Sequence, residues 1–154
     1  MASTTDGFMM PLVAEEAAGF WEGTAAGELR MQACSSCGTL RFPPRPMCPR
    51  CRSTERHWQA VSSSATVWSF VVPHPPLLPA YQAVSPYAVA VVALDEDPRL
   101  RLVGNLLDTP DGGIGQVDPA SVKIGEAVDA VFVTLHGDNG SQVTVPRWLR
   151  RHAS

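Results

Sequence analysis

All four cysteines of this 154-residue chain lie between residues 34 and 51, as the pairs Cys34-x-x-Cys37 and Cys48-x-x-Cys51. A C-x-x-C pair can wrap a metal from one tight turn, and two pairs complete a closed tetrahedral shell of thiolates, the arrangement of structural zinc. A redox pair of the thioredoxin kind needs only one C-x-x-C, set at a helix start inside a βαβ unit. Neither pair here has that setting, so the spacing favours a metal site with Cys34, Cys37, Cys48 and Cys51 as ligands. Zinc leads, but iron takes the same four-sulfur donor set and stays open. A closed shell leaves no position for water or substrate. The metal is then a staple, worth on the order of 10 kcal/mol of folding energy in small zinc modules, and these cysteines carry no catalysis.

The setting agrees with that chemistry. No apolar run approaches the roughly 20 residues that cross a bilayer, so no membrane partner is expected. The N-terminus MASTTDGFMMPLVAEEAAGF lacks a basic start followed by a long apolar stretch, and the expected location is the cytoplasm. Clustered thiols in a reducing compartment favour metal over disulfides. The sequon Asn139-Gly140-Ser141 then reads as an ordinary turn.

Around the cysteines the pattern is that of a helix leading into a ribbon. Residues 14–22 have helical composition, with Val13, Ala17, Phe20 and Trp21 close to one face, and the stretch Gly23 to Gly27 is expected to end the helix. Leu29 to Ala33 and Leu40 to Phe42 flank the first pair as short extended runs, and Pro43-Pro44 stops any helix there. After Trp58 the texture changes to β-branched runs. Residues 66–72, 87–94, 99–107, 128–135 and 142–145 predict five strands with no convincing helix between them. Five such strands predict a small antiparallel barrel, and the OB-fold is the commonest candidate. In the third run Leu100, Leu102 and Leu106 share one face, and Gly104 sits among them as a bulge or barrel-corner glycine. The expected architecture is mainly β: a helix and zinc ribbon over residues 12–56, then a five-stranded OB-fold barrel over 57–148. The connection 73–86 is long and proline-stiffened, and long ordered loops are often functional.

Charge and side-chain chemistry narrow the function. Residues 57–146 hold nine Asp or Glu against three Lys or Arg, and an acidic barrel repels a phosphate backbone. Trp68, Phe70 and Tyr81 could stack on bases, but the basic groove that single-strand binders add is missing from this region. Arg30, Arg41, Arg45, Arg50, Arg52 and Arg56 fall in the ribbon instead. They can offset thiolate charge, or meet phosphates or a partner's acids. His57, His74, His136 and His152 lie in turn-like or terminal contexts, and no serine occupies a G-x-S-x-G elbow. Asp95-Glu96-Asp97 before Pro98 reads as a solvated turn, and Gly112 to Gly115 as a flexible loop. No catalytic set emerges. Phe42 and Arg45, in the F-P-P-R segment between the cysteine pairs, are the residue types that most often anchor an interface.

Several motifs follow one another in an order that resembles a known family. They are Phe20-Trp21, Gly27-Glu28-Leu29, Gln32, C-x-x-C-G, F-P-P-R at 42–45, C-P-x-C at 48–51, Pro86-Tyr87, and L-D-E at 94–96. Together they resemble the rubredoxin-like zinc-ribbon plus OB-fold family catalogued as domain of unknown function thirty-five, over about residues 12 to 148. One departure is Arg52, where the family often has glycine after the last cysteine. The resemblance implies a non-catalytic accessory subunit of a thiolase-like enzyme, an aldolase or thiolase acting on acyl-CoA thioesters in lipid or steroid side-chain breakdown. It further implies an α2β2 assembly and no activity of the chain alone. The alternative from another class is a zinc-ribbon/OB-fold nucleic-acid-binding module.

Overall fold

The structure, a computed structural model, describes residues 7–152. A single 3-10 turn, Glu15–Ala17, leads into helix α1 (Ala18–Ala25). Strands β1 (Leu29–Cys34), β2 (Leu40–Arg41) and β3 (Arg56–Val61) form the ribbon's antiparallel sheet in the order β2-β1-β3. Gln32 in the central strand faces Arg41 on one side and Trp58 on the other. The rest of the chain supplies β4 (Ser64–Val71), helix α2 (Pro79–Val84), β5 (Val89–Leu94), β6 (Arg101–Leu107), β7 (Ala127–His136) and β8 (Gln142–Arg150). β4 to β8 close into a barrel in the order β4-β5-β6-β8-β7. Five strands and an OB-like closed barrel are thus as the sequence predicts.

Helix α1 ends inside the Gly23 to Gly27 stretch expected to end it: it runs to Ala25, and Gly27, at φ +78°, turns the chain out of it. Gly19 and Gly23 are there because of what lies against the helix. A Cβ at Gly19 would come within 2.2 Å of the Trp58 ring, and one at Gly23 within 2.7 Å of Arg30 Cγ. Eight residues containing two glycines and no side-chain N-cap make a poor helix on their own. Tertiary contact holds it: Phe20 is buried in the main core, edge-on to Trp21 at 5.0 Å.

The barrel core is built as the alternation in the third run suggests. Leu100, Leu102 and Leu106 are buried with Val67, Ala90, Val92, Leu94 and Val128. Gly104 is the inward glycine: a Cβ there would lie 2.8 Å from the indole Nε1 of Trp148, which is fully buried. β6 and β8 pair in parallel at Leu106–Trp148 and Leu107–Leu149, and this pairing closes the barrel. In β4 the register to β5 slips between Val67 and Ser69, so Trp68 is the extra residue of a bulge and half its surface is exposed. The guanidinium of Arg101 lies over its ring at 3.7 Å.

β3 begins at Arg56, pairs with β1 and carries the ribbon's sheet on to Val61. Two sequence expectations need correction. The 73–86 connection contains α2, with Pro79 at its start. The last strand does not end at Val145 but passes through Pro146 to Arg150. That extension also changes the charge balance. Arg150 pairs with Glu126 at 3.0 Å and with Asp108 at 3.1 Å, and Arg151 pairs with Asp129.

Gly19→Ala separates packing from propensity. Alanine favours a helix by about 1 kcal/mol, but the overlap with Trp58 should outweigh it and leave the protein about 2 kcal/mol less stable. Chemical denaturation of the two proteins measures the sign directly.

Candidate metal centre

Both knuckles use the same backbone plan. In the first, the N–H of Gly38 donates to the C=O of Cys34 at 2.9 Å and the N–H of Cys34 donates to the C=O of Thr39 at 3.0 Å. In the second, Arg52 N–H donates to Cys48 C=O at 2.9 Å and Cys48 N–H to Ser53 C=O at 2.8 Å. The turn requires a left-handed residue just past each second cysteine. Gly38 supplies it at φ +71° and Arg52 at φ +64°. Arg52 is the one non-glycine residue with positive φ among the described residues.

The four Sγ atoms lie within 4.8 Å of one another, with Cys34–Cys51 at 3.5 Å and Cys37–Cys48 at 3.7 Å. A tetrahedral ion with sulfur bonds of about 2.3 Å needs sulfurs about 3.8 Å apart. The residues therefore fit a four-thiolate metal centre. Cys34 and Cys48 are buried, while Cys37 and Cys51 reach the surface.

Their protonation is divided in a way that also fits. The backbone N–H of Cys51, aided by that of Arg50 and by neighbouring thiols, lowers Cys48 to about 6. Cys37 is lowered first by the Thr39 hydroxyl and then by the Thr39 backbone. For Cys51 the Ser53 backbone N–H pulls down, but the Cys34 thiol, desolvation and the other two thiols outweigh it and push it up to about 11. Backbone donors favour the first thiolate, and accumulating charge opposes the last. A bound cation removes that opposition and releases protons.

Around the centre two of the six ribbon arginines are engaged within the fold. Arg41 is buried, its Nε donating to Gln32 Oε1 at 2.8 Å, and Arg30 pairs with Glu28 at 3.0 Å. Phe42 packs against Phe20 with ring centroids 5.3 Å apart. Arg45 donates its backbone N–H to Gln32 Oε1 at 3.0 Å and leaves its side chain exposed. The four histidines are exposed and scattered: His57 Nδ1 meets Ser35 Oγ at 3.1 Å, and His152 Nε2 lies 3.4 Å from Asp108. Asp95, Glu96 and Asp97 hold local partners in Thr66, the Ser62 backbone and Arg99. The loop at 112–115 is not loose; Ile114 is buried and Gly113 N–H donates to Gln116 Oε1 at 3.1 Å. No helix of the described residues is long and apolar enough to cross a membrane.

A rubredoxin-like ribbon carrying four clustered thiols, joined to a closed five-stranded barrel, defines a zinc-ribbon/OB-fold protein. Two family profiles match along the chain, described as the rubredoxin-like zinc ribbon domain of ChsH2 over residues 21–55 and its C-terminal OB-fold domain over 58–133. A DUF35 domain-containing scaffold protein of Methanocaldococcus jannaschii is 33% identical over 70% of each chain. The chain belongs to this ChsH2/DUF35 family. The alpha subunit of 3-oxo-4,17-pregnadiene-20-carboxyl-CoA hydratase from Mycobacterium tuberculosis is 35% identical over 83% of this chain and 37% of its own length. A probable enoyl-CoA hydratase alpha subunit of Thermomonospora curvata is 40% identical over 61% of this chain and 30% of its own. The chain thus spans about a third of the curated relatives named as hydratase subunits. Among solved structures, the Ltp2-ChsH2(DUF35) aldolase contains a chain that superimposes with a TM-score of 0.72 at 33% identity, covering 92% of this chain and 98% of that one.

Elemental analysis of the purified protein should give about one metal ion per chain, and Cys48→Ala should lose it and loosen the ribbon while the barrel stays folded. Amide exchange resolved by segment distinguishes the two parts. Arg52→Gly relieves a left-handed arginine and should raise stability by about 1 kcal/mol, net of the extra freedom glycine gives the unfolded chain; thermal melting of the metal-loaded proteins reports it.

Proposed function

We propose that this chain is a non-catalytic accessory subunit that binds and supports a thiolase-like enzyme, an aldolase or thiolase acting on acyl-CoA thioesters. The match to the DUF35 chain of the Ltp2-ChsH2 aldolase, which covers 98% of that chain, carries the reading. The pregnadiene-carboxyl-CoA named for the hydratase relative supports a steroid or similarly bulky lipid as the acyl group. The metal is zinc, held by Cys34, Cys37, Cys48 and Cys51 as a structural centre, and it supplies rigidity to the ribbon rather than a reactive position. Thiolase-like enzymes work as symmetric dimers in this reading, so two copies of the chain flank one dimer as an α2β2 assembly in the cytoplasm.

The F-P-P-R segment remains the proposed contact, now weighted toward one residue. Phe42 is half-buried and packs on Phe20, whereas Arg45 presents its side chain from a backbone pinned by Gln32. Co-expression with a thiolase-like enzyme of the same organism should yield a complex of two plus two chains by light scattering. The complex should turn over an acyl-CoA, and this chain alone should not. Arg45→Ala should leave the metal in place and weaken assembly by about 1 to 2 kcal/mol. Turnover of acyl-CoA by the isolated chain would remove the accessory reading, and salt-dependent capture of a random oligonucleotide in place of a complex would favour the nucleic-acid alternative.

A further inference from the structure

A cleft of about 440 Å³ lies where the N-terminal segment and α1 meet the barrel beside β6 and β8. Phe8, Phe20, Phe42, Ile114, Leu135 and Val145 are among the apolar residues of its walls. Its volume falls within the roughly 300–1,000 Å³ of small-molecule sites, which are likewise apolar with a few placed polar groups.

The polar group that stands out is Arg147, which lines the cleft and is 7% exposed. Among the described residues its guanidinium has neither a hydrogen-bond acceptor nor an acidic neighbour within ion-pair distance. The contrast with the arginines that follow is sharp. Arg150 is held by Glu126, Asp108 and Ser121, and Arg151 by Asp129 and Ser64. A guanidinium largely withdrawn from water is costly unless paired, and burial accordingly lowers the pKa of Arg147, whose nitrogens, unlike the two sealed ends of Arg41, keep some surface. Two neutral groups on the cleft keep bonding capacity. Asn105 donates through Nδ2 to Ala88 C=O at 3.3 Å, which leaves Oδ1 unused, and Tyr81 accepts from Met9 N–H at 3.4 Å, which leaves its O–H free to donate. Arg101, also on the cleft, is stacked on Trp68.

We propose that this cleft binds a small amphipathic monocarboxylate, its carboxylate on the Arg147 guanidinium and its apolar body against the aromatic and aliphatic walls. A guanidinium fork matches a carboxylate in two parallel hydrogen bonds. One buried guanidinium balances one negative charge, and the other cation on the cleft, Arg101, is engaged over the Trp68 ring. The site lies apart from the four thiols and does not depend on the accessory-subunit reading.

The test uses the full chain and two probes of equal chain length, dodecanoate and dodecanol, each below its aggregation concentration. Titration calorimetry, checked by the fluorescence of the cleft-lining Trp21, should give one dodecanoate per chain, bound about tenfold or more tighter than dodecanol. Arg147→Met keeps an apolar stem and should abolish that preference while dodecanol still binds. Val145→Phe, which fills the cleft without touching the charge, should weaken both probes. Equal binding of the two probes to the unmodified chain overturns the proposal. So does a preference for the acid that survives Arg147→Met in a folded protein, or undiminished dodecanoate binding in Val145→Phe. Because the comparison of the two probes needs no variant, a poorly folding Arg147→Met protein still leaves the proposal testable.

Discussion

Trp148 has room inside the barrel because residue 104 has no side chain. The indole lies where a Cβ on the neighbouring strand would stand, and it does so at the point where β6 and β8 pair in parallel. Burying a tryptophan is worth on the order of 3 kcal/mol or more, so the fit sets the register of the strand that shuts the barrel. Its Nε1 finds no acceptor among the described residues, a cost accepted for shape. With the register fixed, Arg147 and Arg150 fall into opposite situations on one strand, the first against the cleft and the second among carboxylates.

The ribbon rests on a different principle. Its three strands are short, and β2 contributes two residues. β1 is nevertheless buried along almost its whole length on both of its faces. Such a strand needs covering on each side, which explains why α1 approaches so closely that glycine is the residue that fits at positions 19 and 23. The thiol centre then fixes the far end of the sheet, where little apolar surface is available. Packing holds one end and a donor set suited to metal holds the other.

What could be read in advance follows from the range of the interactions involved. The cluster of four thiols was legible because the spacing within each C-x-x-C pair is local, and the barrel strands because β-branched runs between turn residues need no knowledge of partners. The inward role of Gly104 was legible from alternation in β6, but its reason, the ring of Trp148, lies 44 positions along the chain. Pro146 reads as a strand end because it lacks an N–H, yet β8 continues, since pairing with β6 begins only at Trp148. Helix α2 is six residues without a side-chain cap and leaves almost no periodic trace. Gly23 opens the stretch that ends the helix, and only the position of Arg30 shows that it is also a contact. The isolation of the Arg147 guanidinium is a property of the assembled fold, invisible to any local pattern.

The bulge in β4 separates what the strand shows to solvent from what it gives to the core. With residue 68 set aside, Ala65, Val67 and Phe70 alternate inward without interruption, paired against Leu94, Val92 and Ala90. Trp68 is therefore supernumerary to the parity of the strand. An aromatic stacked under Arg101 has been placed on the outside of the barrel without turning any other residue of β4 over. Position 68 is consequently open to insertion and deletion in a way its neighbours are not, a place where relatives of this chain can differ in length inside a strand and still share one core.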